Sequence, residues 1–101
     1  MSQKFVSDLI KAPVAMITKS HCPWCAKAKQ LFDSESVSYV HKDIDKEANC
    51  DAIQDYLQEL TGARTVPRVF IGGKCIGGFD ATKKLNDEGK LKEMIKHASN
   101  L

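Results

Sequence analysis

The tetrapeptide Val14-Ala15-Met16-Ile17 stands between Pro13 and the polar stretch Thr18-Lys19-Ser20-His21. A continuous apolar run of this length is too short for a buried helix. It fits a central strand covered on both faces, so the chain must supply layers on either side of it. From Pro23 the period changes: Trp24, Ala28, Leu31 and Phe32 share one helical face, while Lys27, Lys29, Gln30 and Asp33 point elsewhere. Pro23 suits the first turn of that helix, where its missing N–H costs nothing. Upstream, Phe5, Val6, Leu9 and Ile10 predict a short helix over about residues 3 to 11, stopped by Pro13. Downstream, Val37 to Val40 reads as a second strand and closes a compact βαβ unit.

Ile53, Tyr56, Leu57 and Leu60 mark a third helix, ended by Gly62. Arg68–Ile71 and Lys74–Ile76 flank Gly72-Gly73, which is a hairpin signal. Two closing helices follow, one around Ala81 to Asp87 and one carrying Leu91, Met94, Ile95 and Ala98. The order α-β-α-β-α-β-β-α-α predicts an α/β fold, a four-stranded mixed sheet flanked by about five helices. Residues 1–101 are expected to form a single domain.

Composition narrows the function. Fifteen Lys and Arg against thirteen Asp and Glu leave a formal charge of +2, too even for the basic footprint of a nucleic-acid binder. The longest apolar run falls far below the roughly 20 residues of a spanning helix. The N-terminus has neither the basic start and apolar stretch of a signal peptide nor the Arg- and Ser-rich character of a transit peptide. A cytoplasmic protein that engages neither membrane nor nucleic acid is the expectation.

Four cysteines then need an account: Cys22, Cys25, Cys50 and Cys75. Cytosolic thiols are kept reduced, which argues against a structural disulfide framework. A closed zinc site needs four ligands, usually with a second close pair, and Cys50 and Cys75 form none, so no metal is expected. Cys22-Pro23-Trp24-Cys25 is a C-x-x-C pair between a buried strand and a helix, the setting of a redox pair. Thiols react as thiolates, and an ordinary Cys, with a pKa near 8.5, is only about 3% ionised at pH 7. At the mouth of a helix the Cys22 sulfur meets unpaired N–H groups and the positive end of the dipole. Lys19 adds a positive charge three residues upstream. Cys25, one turn further in, is more shielded. Cys22 is therefore the attacking thiol and Cys25 the resolving one.

Lys19, Cys22-Pro23-Trp24-Cys25, Thr65-Val66-Pro67 and Gly77-Gly78, in that order, make the chain resemble a dithiol glutaredoxin over nearly its whole length. The resemblance implies a thioredoxin-like fold, with glutathione as the reducing co-substrate. It implies reduction of protein disulfides and protein–glutathione mixed disulfides, with glutathione reductase as an indirect partner and a monomeric state. It further implies a cis bond at Pro67, which would turn the Val66 backbone outward to pair with glutathione as a short added strand. Thr65 and Trp24 flank that surface. Gly78, Phe79 and Asp80 would receive the γ-glutamyl end where a helix begins. Lys19 and Gln54 match positions that bind the glycyl carboxylate.

Two departures stand out. Trp24 replaces the Tyr more common in the family, and stacking or packing beside the site is expected to survive. Ala81 stands where the family usually has a second acid, which removes one contact to the α-amino group of glutathione. Cys50 falls on the Ile53/Leu57 face and is expected to be buried, with Cys75 in the hairpin strand. Two other functions compete with this one. Some glutaredoxins hold a [2Fe–2S] cluster between protomers, but Pro23 resembles the non-binders. A thioredoxin-type enzyme would normally carry C-G-P-C rather than C-P-W-C.

Overall fold

A computed structural model describes residues 2–99, so residues 1, 100 and 101 of the expected 1–101 unit lie outside the described residues. Its elements are α1 (Ser2–Leu9), β1 (Val14–Thr18), α2 (Pro23–Ser34), β2 (Val40–Asp43) and α3 (Cys50–Thr61), then β3 (Arg68–Ile71), β4 (Lys74–Gly77), α4 (Phe79–Asp87) and α5 (Leu91–Ser99). The sheet order is β2-β1-β3-β4. β1 runs parallel to β2 and antiparallel to β3, and β3 is antiparallel to β4. The sheet is therefore mixed and four-stranded, as the element order predicts.

The apolar run now has its explanation. Every residue of β1 is buried, and the side chains of Val14–Ile17 divide between two cores. Ala15 and Ile17 join Phe70, Val6 of α1 and Ile53 and Leu57 of α3 on one face. Val14 and Met16 join Val69, Ile71, Ala28 and Phe32 of α2 and Leu91 of α5 on the other. A strand with helices on both faces has no polar side, and its sequence has none either.

The second strand is a correction. It covers Val40–Asp43 rather than Val37 to Val40, with Ala15 opposite Val40 and Thr18 opposite Asp43. Val37 belongs instead to the stop of α2. Ser36 takes a left-handed conformation at φ 58°, the Ser36 N–H bonds the Asp33 carbonyl at 3.1 Å, and the Val37 N–H bonds the Phe32 carbonyl at 2.9 Å. This is the Schellman pattern, completed by Val37 packing in the same core as Phe32. β2 is an edge strand and largely exposed, so no apolar run marks it.

One helix start also moves, and the hairpin turn stands where expected. α4 begins at Phe79, two residues before the expected Ala81, directly after Gly78. The hairpin turn is formed by Gly72 and Gly73, both at positive φ (61° and 81°), the conformation a two-residue hairpin of this hand requires.

Candidate redox site

The C-terminal ends of the parallel strands β1 and β2 point toward the start of α2, where the cysteines lie. Cys22 is the N-cap of α2, in extended conformation (φ −114°, ψ 105°), with Pro23 in the first turn. Its sulfur accepts the Cys25 backbone N–H at 3.1 Å, so one of the orphan donors of the helix start is spent on this atom. Cys25 is bonded to Cys22 as a disulfide, with Cα atoms 5.1 Å apart. The two differ in access: Cys22 is half-buried and Cys25 is 1% exposed.

The Val66–Pro67 peptide is cis. The Val66 carbonyl oxygen lies 3.8 Å from the Cys22 sulfur, which brings the Thr65-Val66-Pro67 segment beside the thiol. From there a groove of about 400 Å³ opens between the start of α2, this segment and the start of α4. Trp24 and Phe79 form one wall, with ring centroids 5.7 Å apart. Trp24 is 51% exposed, and the Lys27 ammonium stands 4.4 Å from its ring centroid. Thr65, Val66 and Pro67 form a second side, and Gly78 and Asp80 the end.

Gly77 makes this end possible. Its φ of +115° is one that residues with a side chain rarely adopt, and a Cβ there would meet the Ala81 Cβ at 2.9 Å. The chain can therefore turn from β4 straight into α4, whose first residues, Phe79 and Asp80, line the groove. Ala81 also lines it, next to Asp80.

Lys19 and Gln54 are not among the groove's lining residues, but the structure brings them together. The Lys19 ammonium donates to Gln54 Oε1 at 3.2 Å. Gln54 Nε2 donates to the Arg64 carbonyl at 2.9 Å, and because a carbonyl only accepts, that bond decides which way the amide faces. Cys50 is half-buried rather than buried; the thiol stands at the start of α3 with its sulfur 3.6 Å from Gln54 Oε1. Cys75 is half-buried too, against the α1/α3 core.

Two arginines escaped the sequence reading. Arg68 lines the groove; its guanidinium stands 3.2 Å from where a Cβ on Gly78 would lie. Arg64 pairs with Asp55 at 2.5 Å beside Gln54. Arg64 and Arg68 flank Thr65-Val66-Pro67 in sequence, and that adjacency was the available signal. A larger cavity of about 530 Å³ at the other end of β1 is lined by Val14, Val37 and Ile95, whereas the smaller groove is the one that adjoins the cysteines, through Trp24 and through Val66, whose carbonyl lies 3.8 Å from the Cys22 sulfur. Among the described residues, no three His, Cys, Asp or Glu side chains are gathered as metal ligands, and no helix is long and apolar enough to cross a membrane.

A glutaredoxin family model matches residues 14–76, well over half of the chain. The chain belongs to the glutaredoxin family. It is 45% identical to glutaredoxin-C6 of Oryza sativa subsp. japonica over 95 residues, covering 94% of this chain and 85% of that one. Against glutaredoxin-1 of Bos taurus it is 42% identical over 102 residues, with 95% and 94% covered. The crystal structure of a buckwheat glutaredoxin–glutathione complex superposes with a TM-score of 0.90 at 39% identity, covering 97% of this chain and 89% of that one. The holo form of glutaredoxin C1 from Populus tremula x tremuloides superposes at 0.92, with 33% identity and 99% and 91% covered. The thioredoxin-like fold expected from the motifs is thus the fold of this glutaredoxin. Glutaredoxins are glutathione-dependent thiol oxidoreductases, and this chain is an enzyme of that kind.

Proposed function

We propose that this glutaredoxin reduces protein–glutathione mixed disulfides through Cys22 alone, and protein disulfides through Cys22 and Cys25 together. The observation that carries the reading is the asymmetry of the pair: Cys22 caps α2 and receives an N–H, whereas Cys25 is buried. In the reduced enzyme the N–H groups and dipole at the helix start favour a thiolate on Cys22.

For a mixed disulfide, the Cys22 thiolate attacks the glutathione sulfur. The S–S bond to the protein breaks, the protein leaves as a thiolate, and Cys22 carries the glutathionyl group. A glutathione thiolate then attacks that new disulfide, regenerating the Cys22 thiolate and releasing glutathione disulfide. For a protein disulfide, Cys22 first forms a mixed disulfide with one substrate sulfur and the other leaves. Cys25 then attacks Cys22, its proton passing to the departing second substrate sulfur, which frees the substrate as a thiol and forms the Cys22–Cys25 disulfide. Two glutathione molecules, oxidised together, return that pair to the dithiol.

Glutathione is read as lying in the groove with its cysteinyl backbone on Val66 and its γ-glutamyl end at Gly78, Phe79 and Asp80. Its glycyl carboxylate is read near Lys19 and Gln54. The buckwheat complex supports glutathione as the ligand, since that protein was solved with it bound. The position of Val66 supports that contact, because its carbonyl oxygen lies 3.8 Å from the Cys22 sulfur.

A coupled assay with glutathione, glutathione reductase and a small glutathione mixed disulfide tests the reading. Glutathione-dependent turnover is expected, lost in Cys22→Ser and largely kept in Cys25→Ser. Cys25→Ser should lose most dithiol reduction of a protein disulfide. Turnover that survives Cys22→Ser but not Cys25→Ser would reverse the two roles. Activity with thioredoxin reductase and none with glutathione would point to a thioredoxin-type donor instead.

A further inference from the structure

We propose that Asp45 is a positioning residue for glutathione capture: it clamps Ser20 and thereby sets where the Lys19 ammonium stands. The inference rests on the reading of Lys19 as the cation for the glycyl carboxylate.

The parallel pairing of β1 and β2 ends at Thr18 and Asp43, yet the two chains stay side by side beyond it. The Ile44 N–H bonds the Thr18 carbonyl at 2.9 Å. The buried Thr18 hydroxyl stands 2.6 Å from Asp43 Oδ1 and 3.1 Å from the Lys42 carbonyl. Two residues on, both oxygens of Asp45 close on one residue: Oδ1 accepts the Ser20 N–H at 3.0 Å, and Oδ2 accepts the Ser20 hydroxyl. The Ser20 hydroxyl and then its backbone N–H hold the Asp45 carboxyl below the usual aspartate value, which marks the ionised form as the one that clamps.

Lys19 sits between these two fastenings. Its long side chain leaves in the other direction, across to α3 and Gln54. A lysine ammonium is a point charge on a four-carbon stem, so its position depends on where its stem starts and where its end is caught. Gln54 catches the end, and the Arg64 carbonyl fixes the face Gln54 presents. Asp45 secures the start through the neighbouring peptide. Nothing in the β1 period reveals the clamp, because Ser20 and Asp45 both lie in loops.

Steady-state kinetics in glutathione, with Asp45→Ala, Asp45→Asn, Ser20→Ala and Lys19→Gln, test the clamp. Asp45→Ala should raise the glutathione KM about fivefold to tenfold, with kcat within about twofold of the parent. Asp45→Asn keeps an acceptor for the N–H and an amide facing the hydroxyl, so it should stay within about twofold of the parent KM. Ser20→Ala, which loses only the hydroxyl bond, should fall between. The Asp45→Ala and Lys19→Gln penalties should combine to much less than their sum, since both act on one ammonium. An unchanged KM in Asp45→Ala, or penalties that simply add, would overturn the clamp while leaving the glutathione reading intact. A parent enzyme with no glutathione-dependent turnover would overturn both.

Discussion

A sulfur becomes a nucleophile by losing a proton, and at Cys22 the surroundings favour that loss. Its sulfur receives the Cys25 N–H at 3.1 Å at the positive end of a twelve-residue helix. In the reduced enzyme Cys22 is therefore expected to titrate well below an ordinary thiol, and Cys25 to stay protonated. Iodoacetamide alkylation against pH checks this; a Cys22 profile like that of free cysteine would contradict it. Ala81 invites the second test. It lies in the first turn of α4, where the N-cap Gly78 offers no side-chain cap. Ala81→Asp should tighten glutathione a few-fold, since a partly exposed ion pair with the ligand ammonium contributes about 0.2–1 kcal/mol. Calorimetric titration of the reduced Cys25→Ser variant gives the number. Unchanged affinity would mean that Asp80 already serves the ammonium.

Among the elements, the stop of α2 and the strand after it show how local chemistry positions the rest. Ser36 at positive φ ends the helix, and Val37 and Tyr39 fold back onto its core. The Tyr39 ring packs 5.5 Å from Phe32. Burial, and next the nearby Asp33 carboxylate, push its phenol above its ordinary value. A folded pKa above the unfolded one means the fold favours the protonated phenol. The stability this confers is complete below about pH 10, the unfolded value, and is lost as pH rises through the folded value. Urea denaturation from about pH 9 to 11 should show the parent losing stability faster than Tyr39→Phe over that range. Parallel curves would mean Tyr39 carries none of the alkaline slope.

At the level of the whole molecule, β1 is the plane between two cores, and β2 is the margin. Met16 and Ile17 are fully buried on opposite faces, whereas Val40 on the edge is 43% exposed. Met16→Ala and Ile17→Ala should each cost about 2–5 kcal/mol, the range for truncating a core side chain that leaves a cavity. Val40→Thr should cost less than about 0.5 kcal/mol. Chemical denaturation of the reduced protein compares the three. A Val40 penalty as large as that of Ile17 would mean that the edge is covered in solution.

What could be read from the sequence alone was whatever a local pattern encodes. The run Val14–Ile17 required burial on both faces, and two cores supply it. The change of period at Pro23 put the cysteine pair at a helix start, and Gly72-Gly73 turned the hairpin. Tertiary structure decided what no period carries. β2 is displaced because an edge strand needs no apolar side chains and because Val37 was claimed by the end of α2. Lys19 meets Gln54 across 35 residues, and Ser20 meets Asp45 across 25. Arg68 reaches Gly78 only after the hairpin has folded back. Hydrophobic periodicity says which side of an element is buried, but a polar pair between loops lies on no such face. It exists only once the sheet has brought both loops to the same end.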